Sequence, residues 1–180
     1  MGYPTIDKFD IKFIERTKAN VKSFKSPNKF THLINSLLGL IFIPNEFNKK
    51  GTRKYKIDFL NNFISDYKEL TGIFTGQVEL MDEDNNLFMQ HKFCYKTKNI
   101  EQSIETTTVG DLLRLFRNGI AHQNIVPIAD GAYWKGIIVR NYKNQKDEKN
   151  GDFNFETFLN QKELRLFATF IANQYIQNVK

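Results

Sequence analysis

The stretch TVGDLLRLFRNGIA, residues 108 to 121, admits little other than an α-helix. Val109, Leu112, Leu113, Phe116 and Ile120 fall on one stripe at helical spacing. Thr108 stands three residues before Asp111, the spacing of a capping box, so the start of the helix is written as well. An ideal helix turns about 100° per residue, which leaves Arg117 at the edge of the apolar stripe. Asp111, Arg114, Asn118 and His122 fall on the far side, where the chain can offer chemistry rather than packing.

Around this helix the chain reads as one domain over residues 1 to 180, long enough to bury a core. The 17 Phe point to a core built on aromatic rings. Residues 6 to 24 read as a helix with Phe9, Phe13, Val21 and Phe24 near helical spacing. Ser26-Pro27 opens a second helix, 27 to 43, apolar on most sides and stopped by Pro44. A basic loop follows, then a third helix over roughly 55 to 69. Residues 72 to 107 give a weaker signal and stand as an uncertain insert. Strand-like runs at 73 to 80 and 87 to 95 flank the polar turn DEDNN, which suggests a hairpin. After His122, strands at 125 to 128 and 133 to 139 flank Asp130-Gly131, and Phe153, Phe155 and Thr157 alternate like a third. NYKNQKDEKNGD reads as a mobile polar loop. Asn160 with Glu163 starts a last amphipathic helix on Leu164, Phe167, Ala168, Ile171 and Tyr175. The expected fold is mainly α: a helical bundle with a small antiparallel β-sheet attached, its strands within about 125 to 158.

The formal net charge of +6 suits polyanions, nucleic acid among them, or equally a solvated lysine-rich surface. Lys49, Lys50, Arg53, Lys54 and Lys56 make the densest basic cluster and, with Arg114, are weak candidates for an RNA backbone. With a single cysteine, Cys94, no internal disulfide forms, and a reducing compartment fits. The start lacks the basic-then-apolar build of a signal peptide, and the greasy run from Leu33 to Pro44 is shorter than the ~20 residues of a membrane span. A cytoplasmic protein with no membrane contact is the expectation.

Other motifs have simpler readings. Asp82, Asp84 and Asn86 mimic a calcium loop, but the glycine position holds Leu87 and the closing glutamate position holds Phe93, so a turn fits better. His91 and Cys94 have no second pair for zinc, and His32 suits packing. Trp134 and Tyr133 could stack on bases or simply cover a sheet. No metal or cofactor is expected.

Arg117, Asn118 and His122 carry the strongest chemical suggestion. A guanidinium grips a phosphate in two places, and an imidazole gives or takes a proton near neutral pH. RNA brings its own nucleophile, the 2′-hydroxyl, so cleaving it needs little beyond proton management and charge stabilisation. Gly119 would let the helix loosen and bring the two heads together. The plainer alternative is that an arginine and a histidine near a helix C-terminus complement its dipole.

The run FRNGIAHQNIVPI resembles the signature of the HEPN family: an arginine, a polar residue, and a histidine four to six residues after the arginine. The amphipathic helix before it, the apolar helix LINSLLGLIFIP and the strands after His122 look like a plasmid-borne HEPN subgroup. The resemblance implies a helical bundle, a homodimer with the two motifs facing each other in a composite site, and metal-independent RNA cleavage by Arg117, Asn118 and His122. It also implies a toxin or phage-defence effector, with an antitoxin or other regulatory protein as a further partner. The alternative is a non-catalytic HEPN module that holds RNA or protein. HEPN toxins controlled by a nucleotidyltransferase antitoxin usually carry an adenylylated tyrosine two positions after the histidine. Asn124 stands there, so that mode of control is not implied.

Overall fold

A computed structural model of the chain describes residues 9–23, 39–40, 57–81, 86–98, 100–130 and 133–179. The helices among them are α1 (Phe9–Ser23), α2 (Lys68–Phe74), α3 (Val109–Ala121), α4 (Gln145–Asn150) and α5 (Gln161–Val179). The strands are β1 (Gln77–Met81), β2 (Leu87–His91), β3 (Phe93–Thr97), β4 (Ile100–Gln102), β5 (Ile125–Asp130), β6 (Tyr133–Asn141) and β7 (Phe155–Asn160). β1 and β2 pair as an antiparallel hairpin, and the other five form an antiparallel sheet in the order β4-β3-β7-β6-β5.

This overturns the expected helical bundle. The described chain is a sheet-rich α/β fold with seven strands in two antiparallel sheets. The reason is β7, which inserts between β3 and β6 across long sequence separations and makes the sheet central. Periodicity reports which face of an element is greasy, not which strand lies beside it. β7 also defeats the alternation rule, because Phe155 through Leu159 are all buried. Helices cover one face and the β1–β2 hairpin part of the other.

The inner face holds the main core. Phe155, Leu159, Ile137 and Val139 meet Leu112 and Phe116 of α3 and Phe167, Ile171 and Tyr175 of α5. Aromatic rings lock at its centre: Phe116–Phe167 centroids are 5.0 Å apart, Phe74–Phe167 5.4 Å and Phe116–Phe155 5.7 Å. Edge-on and tilted contacts of this kind add to the area they bury. On the outer face Ile138 and Phe158 pack with Leu80 of the hairpin.

Several local expectations hold. α3 starts at Thr108, whose hydroxyl accepts from the Asp111 N–H at 3.1 Å. α5 starts with a reciprocal capping box: Asn160 N–H donates to Glu163 Oε2 at 3.0 Å, and Glu163 N–H to Asn160 Oδ1 at 2.9 Å. The β1–β2 hairpin and the β5–β6 pair both form. Others need correction. The expected helix at 55 to 69 is two 3₁₀ turns, Asp58–Asn61 and Ile64–Asp66, before the short α2. The run 87 to 95 is two strands broken at Lys92, and β1 begins only at Gln77. α1 buries Ile11, Ile14 and Thr17 rather than Phe13, which is 37% exposed. The polar loop after β6 contains α4, capped at its start by the Asn144 side chain and ended by Gly151 in the left-handed region. Of the expected helix 27 to 43, only the helical Gly39 and Leu40 are described.

Candidate functional site

α3 carries the Arg117-Asn118-His122 motif and is held at both ends. At its start, Val109 N–H donates to the Asn62 carbonyl at 2.9 Å, and Ile64 N–H to the Thr107 carbonyl at 3.0 Å. Near its end Gly119 lies against β6. A Cβ there would sit 2.4 Å from the Arg140 carbonyl oxygen and 2.8 Å from Val139 Cγ1, so only glycine fits. Gly119 therefore does not loosen the helix as the sequence suggested. α3 stays helical through Ala121, and the glycine lets its last turn touch the sheet.

The helix then stops sharply. His122 caps it, its N–H donating to the Asn118 carbonyl at 3.0 Å. Gln123 takes a left-handed conformation, φ 61°. Its N–H reaches the Ile120 carbonyl at 3.0 Å, and Asn124 N–H reaches the Gly119 carbonyl at 2.8 Å. These two bonds form a Schellman motif with glutamine where glycine is usual. Arg140 N–H then donates to the Asn124 carbonyl at 2.9 Å and ties the turn to β6. The His122 backbone is thus fixed on both sides while its side chain is exposed.

His122 lines a cavity of about 240 Å³ whose other walls include Tyr142, Lys143, Asn144 and Glu148. With its amide nitrogen turned toward α4, Asn124 donates to Glu148 Oε1 at 3.0 Å and to the His122 carbonyl at 3.3 Å. Asn124 is therefore a strut between the motif and α4. Sequence reasoning missed this wall by reading 141 to 152 as loop. The signal was present, in Asn144 followed by Asp147 and Glu148 and closed by Gly151.

Arg117 is half-buried, with its Nε out of contact with solvent, and its Nη1 donates to Asn118 Oδ1 at 3.2 Å. The structure thus brings Arg117 and Asn118 together, and His122 follows one turn on, at the helix end. Arg114 is engaged elsewhere: Nη2 donates to Asp111 Oδ1 at 3.1 Å and reaches Tyr95 Oη at 3.5 Å. Burial opposes its charge, but the bonds to Asp111 and Tyr95 prevail and raise its pKa. Lys49, Lys50, Arg53, Lys54 and Lys56 lie outside the described residues, as do His32, Asp82 and Asp84. Trp134 lies on β6.

Cys94 sits half-buried on β3. Burial pushes its thiol pKa up, and Glu156 and Glu101 add to the rise against a pull from Lys96, so the reactive thiolate is disfavoured. Among the described residues, no helix is long and apolar enough to cross a membrane, and no group of three His, Cys, Asp or Glu side chains is placed to hold a metal ion.

Residues 1–180 match a family model described as HEPN pEK499 p136. Comparison with curated proteins and with solved structures gives no significant match.

Proposed function

The chain belongs to the HEPN pEK499 p136 family, a plasmid-associated HEPN group, and from that membership we propose that it is a metal-independent RNA endonuclease. The supporting observation is the way α3 ends: the exposed His122 imidazole stands on a backbone fixed by Gly119, Gln123 and Asn124, one turn beyond the Arg117–Asn118 pair. Rigid placement of a proton-transferring group is what acid–base catalysis needs.

In this mechanism the substrate's 2′-hydroxyl attacks the adjacent phosphorus. The P–O5′ bond breaks, and His122 gives its proton to the leaving 5′-oxygen. Arg117 neutralises charge on the non-bridging oxygens, and Asn118, already bonded to that guanidinium, orients it. The products are a 2′,3′-cyclic phosphate and a 5′-hydroxyl. One imidazole does not serve as acid and base in the same step, so the base is His122 of a second copy in a homodimer with a composite site. A toxin or phage-defence role in the cytoplasm, under a regulatory protein, fits such an activity.

The test is degradation of mixed RNA in EDTA by the full chain and by Arg117→Ala. The reading predicts cleavage by the first and at least a hundredfold loss in the second, with the fold intact. The second reading, a module that binds RNA or protein without cutting, draws on the half-burial of Arg117 and its bond to Asn118. It predicts RNA binding that Arg117→Ala weakens, with no product at any time.

A further inference from the structure

A second cavity, of about 550 Å³, lies where β2 and β3 meet the outer side of β6 and β7. Its size is within the ~300–1,000 Å³ usual for small-ligand pockets. The wall from β7 carries Glu156, only 5% exposed. Glu156 Oε1 accepts from Gln90 Nε2 at 2.5 Å, and Oε2 accepts from Arg140 Nε at 2.5 Å. The Arg140 guanidinium also lies over the Phe153 ring, 5.7 Å from its centroid. Held at Nε and against one ring, Arg140 presents a fork whose Nη1 and Nη2 make no hydrogen bond to a described residue.

Three features narrow what such a pocket takes. The Arg140–Glu156 pair carries no net charge, and Glu101 is paired with Lys96 at 3.9 Å, so a free phosphate or carboxylate meets no net positive charge in these pairs. Phe88, 43% exposed, and Phe153 line the cavity, and aromatic rings suit a flat ligand. A guanidinium fork whose two Nη donors meet no acceptor among the described residues is matched by two adjacent acceptors on one edge, the arrangement of guanine O6 and N7.

We propose that this cavity binds a guanine base, its ring against Phe88 and Phe153 and its O6/N7 edge toward Arg140. The base belongs either to an RNA strand or to a free guanine nucleotide. The pocket shares a backbone tie with the His122 turn, through Arg140 N–H and the Asn124 carbonyl, but no side chain of the proposed chemistry.

Isothermal titration of the full chain with guanosine, 7-deazaguanosine and adenosine tests this. Guanosine binds, 7-deazaguanosine (which lacks the N7 acceptor) and adenosine bind at least tenfold more weakly, and Phe153→Ala costs at least tenfold. Arg140→Lys, which keeps the charge beside Glu156 but removes the fork, costs at least tenfold as well. Should that variant fail to fold, the half-buried Phe153 substitution and the 7-deaza comparison still decide. His122→Ala leaves guanosine affinity unchanged, so the pocket and the proposed cleavage chemistry fail separately. Guanosine that does not bind at millimolar concentration, or that binds no better than its 7-deaza analogue, overturns the proposal. Comparing guanosine monophosphate with a six-nucleotide RNA holding one guanine then assigns the source. Tighter binding of the strand points to RNA, and equal binding to a free nucleotide.

Discussion

The two ends of α3 are built on opposite terms. Its start is conventional: Thr108 caps Asp111, and backbone bonds from Val109 and Ile64 clamp the entry. Its finish keeps a glutamine in the left-handed region, a glycine pressed onto the sheet and a histidine in solvent. A non-glycine residue in that region costs about 1–2 kcal/mol, so the C-terminal turn gives up stability that the N-terminal one keeps. The contrast separates what folds the helix from what the helix offers, since strained backbone tends to gather where geometry is set by function.

Substitutions at each end sharpen the contrast. Gly119→Ala drives a methyl into the Arg140 carbonyl and should destabilise the chain by roughly 3 kcal/mol, the upper part of the overpacking range. Chemical denaturation would show it as a lower midpoint, and a midpoint within experimental error of wild type would deny the close approach. Thr108→Ala removes one cap and should cost about 1 kcal/mol without touching RNA cleavage. Gln123→Gly relieves the left-handed strain and should stabilise by ~0.5–1 kcal/mol. If turnover falls while stability rises, the turn is held for function. If both rise together, the glutamine has no such role.

The same division marks what was legible in the sequence. α3 could be read to the residue because its stripe and its cap agree, and the Asn160–Glu163 box announced α5 equally well. The central sheet could not be read, because β3 and β7 meet through pairings that leave no local mark and because β7 buries the polar Glu156 and Thr157 beside its apolar residues. The partner of the Glu156 carboxylate is Arg140, sixteen residues earlier, which only the fold supplies. At the candidate site the motif residues were visible as types and spacing, whereas the role of Gly119 was misread. A glycine looks the same in sequence whether it frees a backbone or lets two come close.

The most direct measurement is the chemistry of the RNA ends. Full-length protein is incubated with a defined RNA in EDTA beside His122→Ala, and the products are weighed by mass spectrometry. The account predicts 2′,3′-cyclic phosphate and 5′-hydroxyl ends from the wild type, and a loss of ~10²–10⁴-fold in rate for a variant whose melting temperature is unchanged. Cleavage by His122→Ala at the wild-type rate, with the same ends, would contradict it.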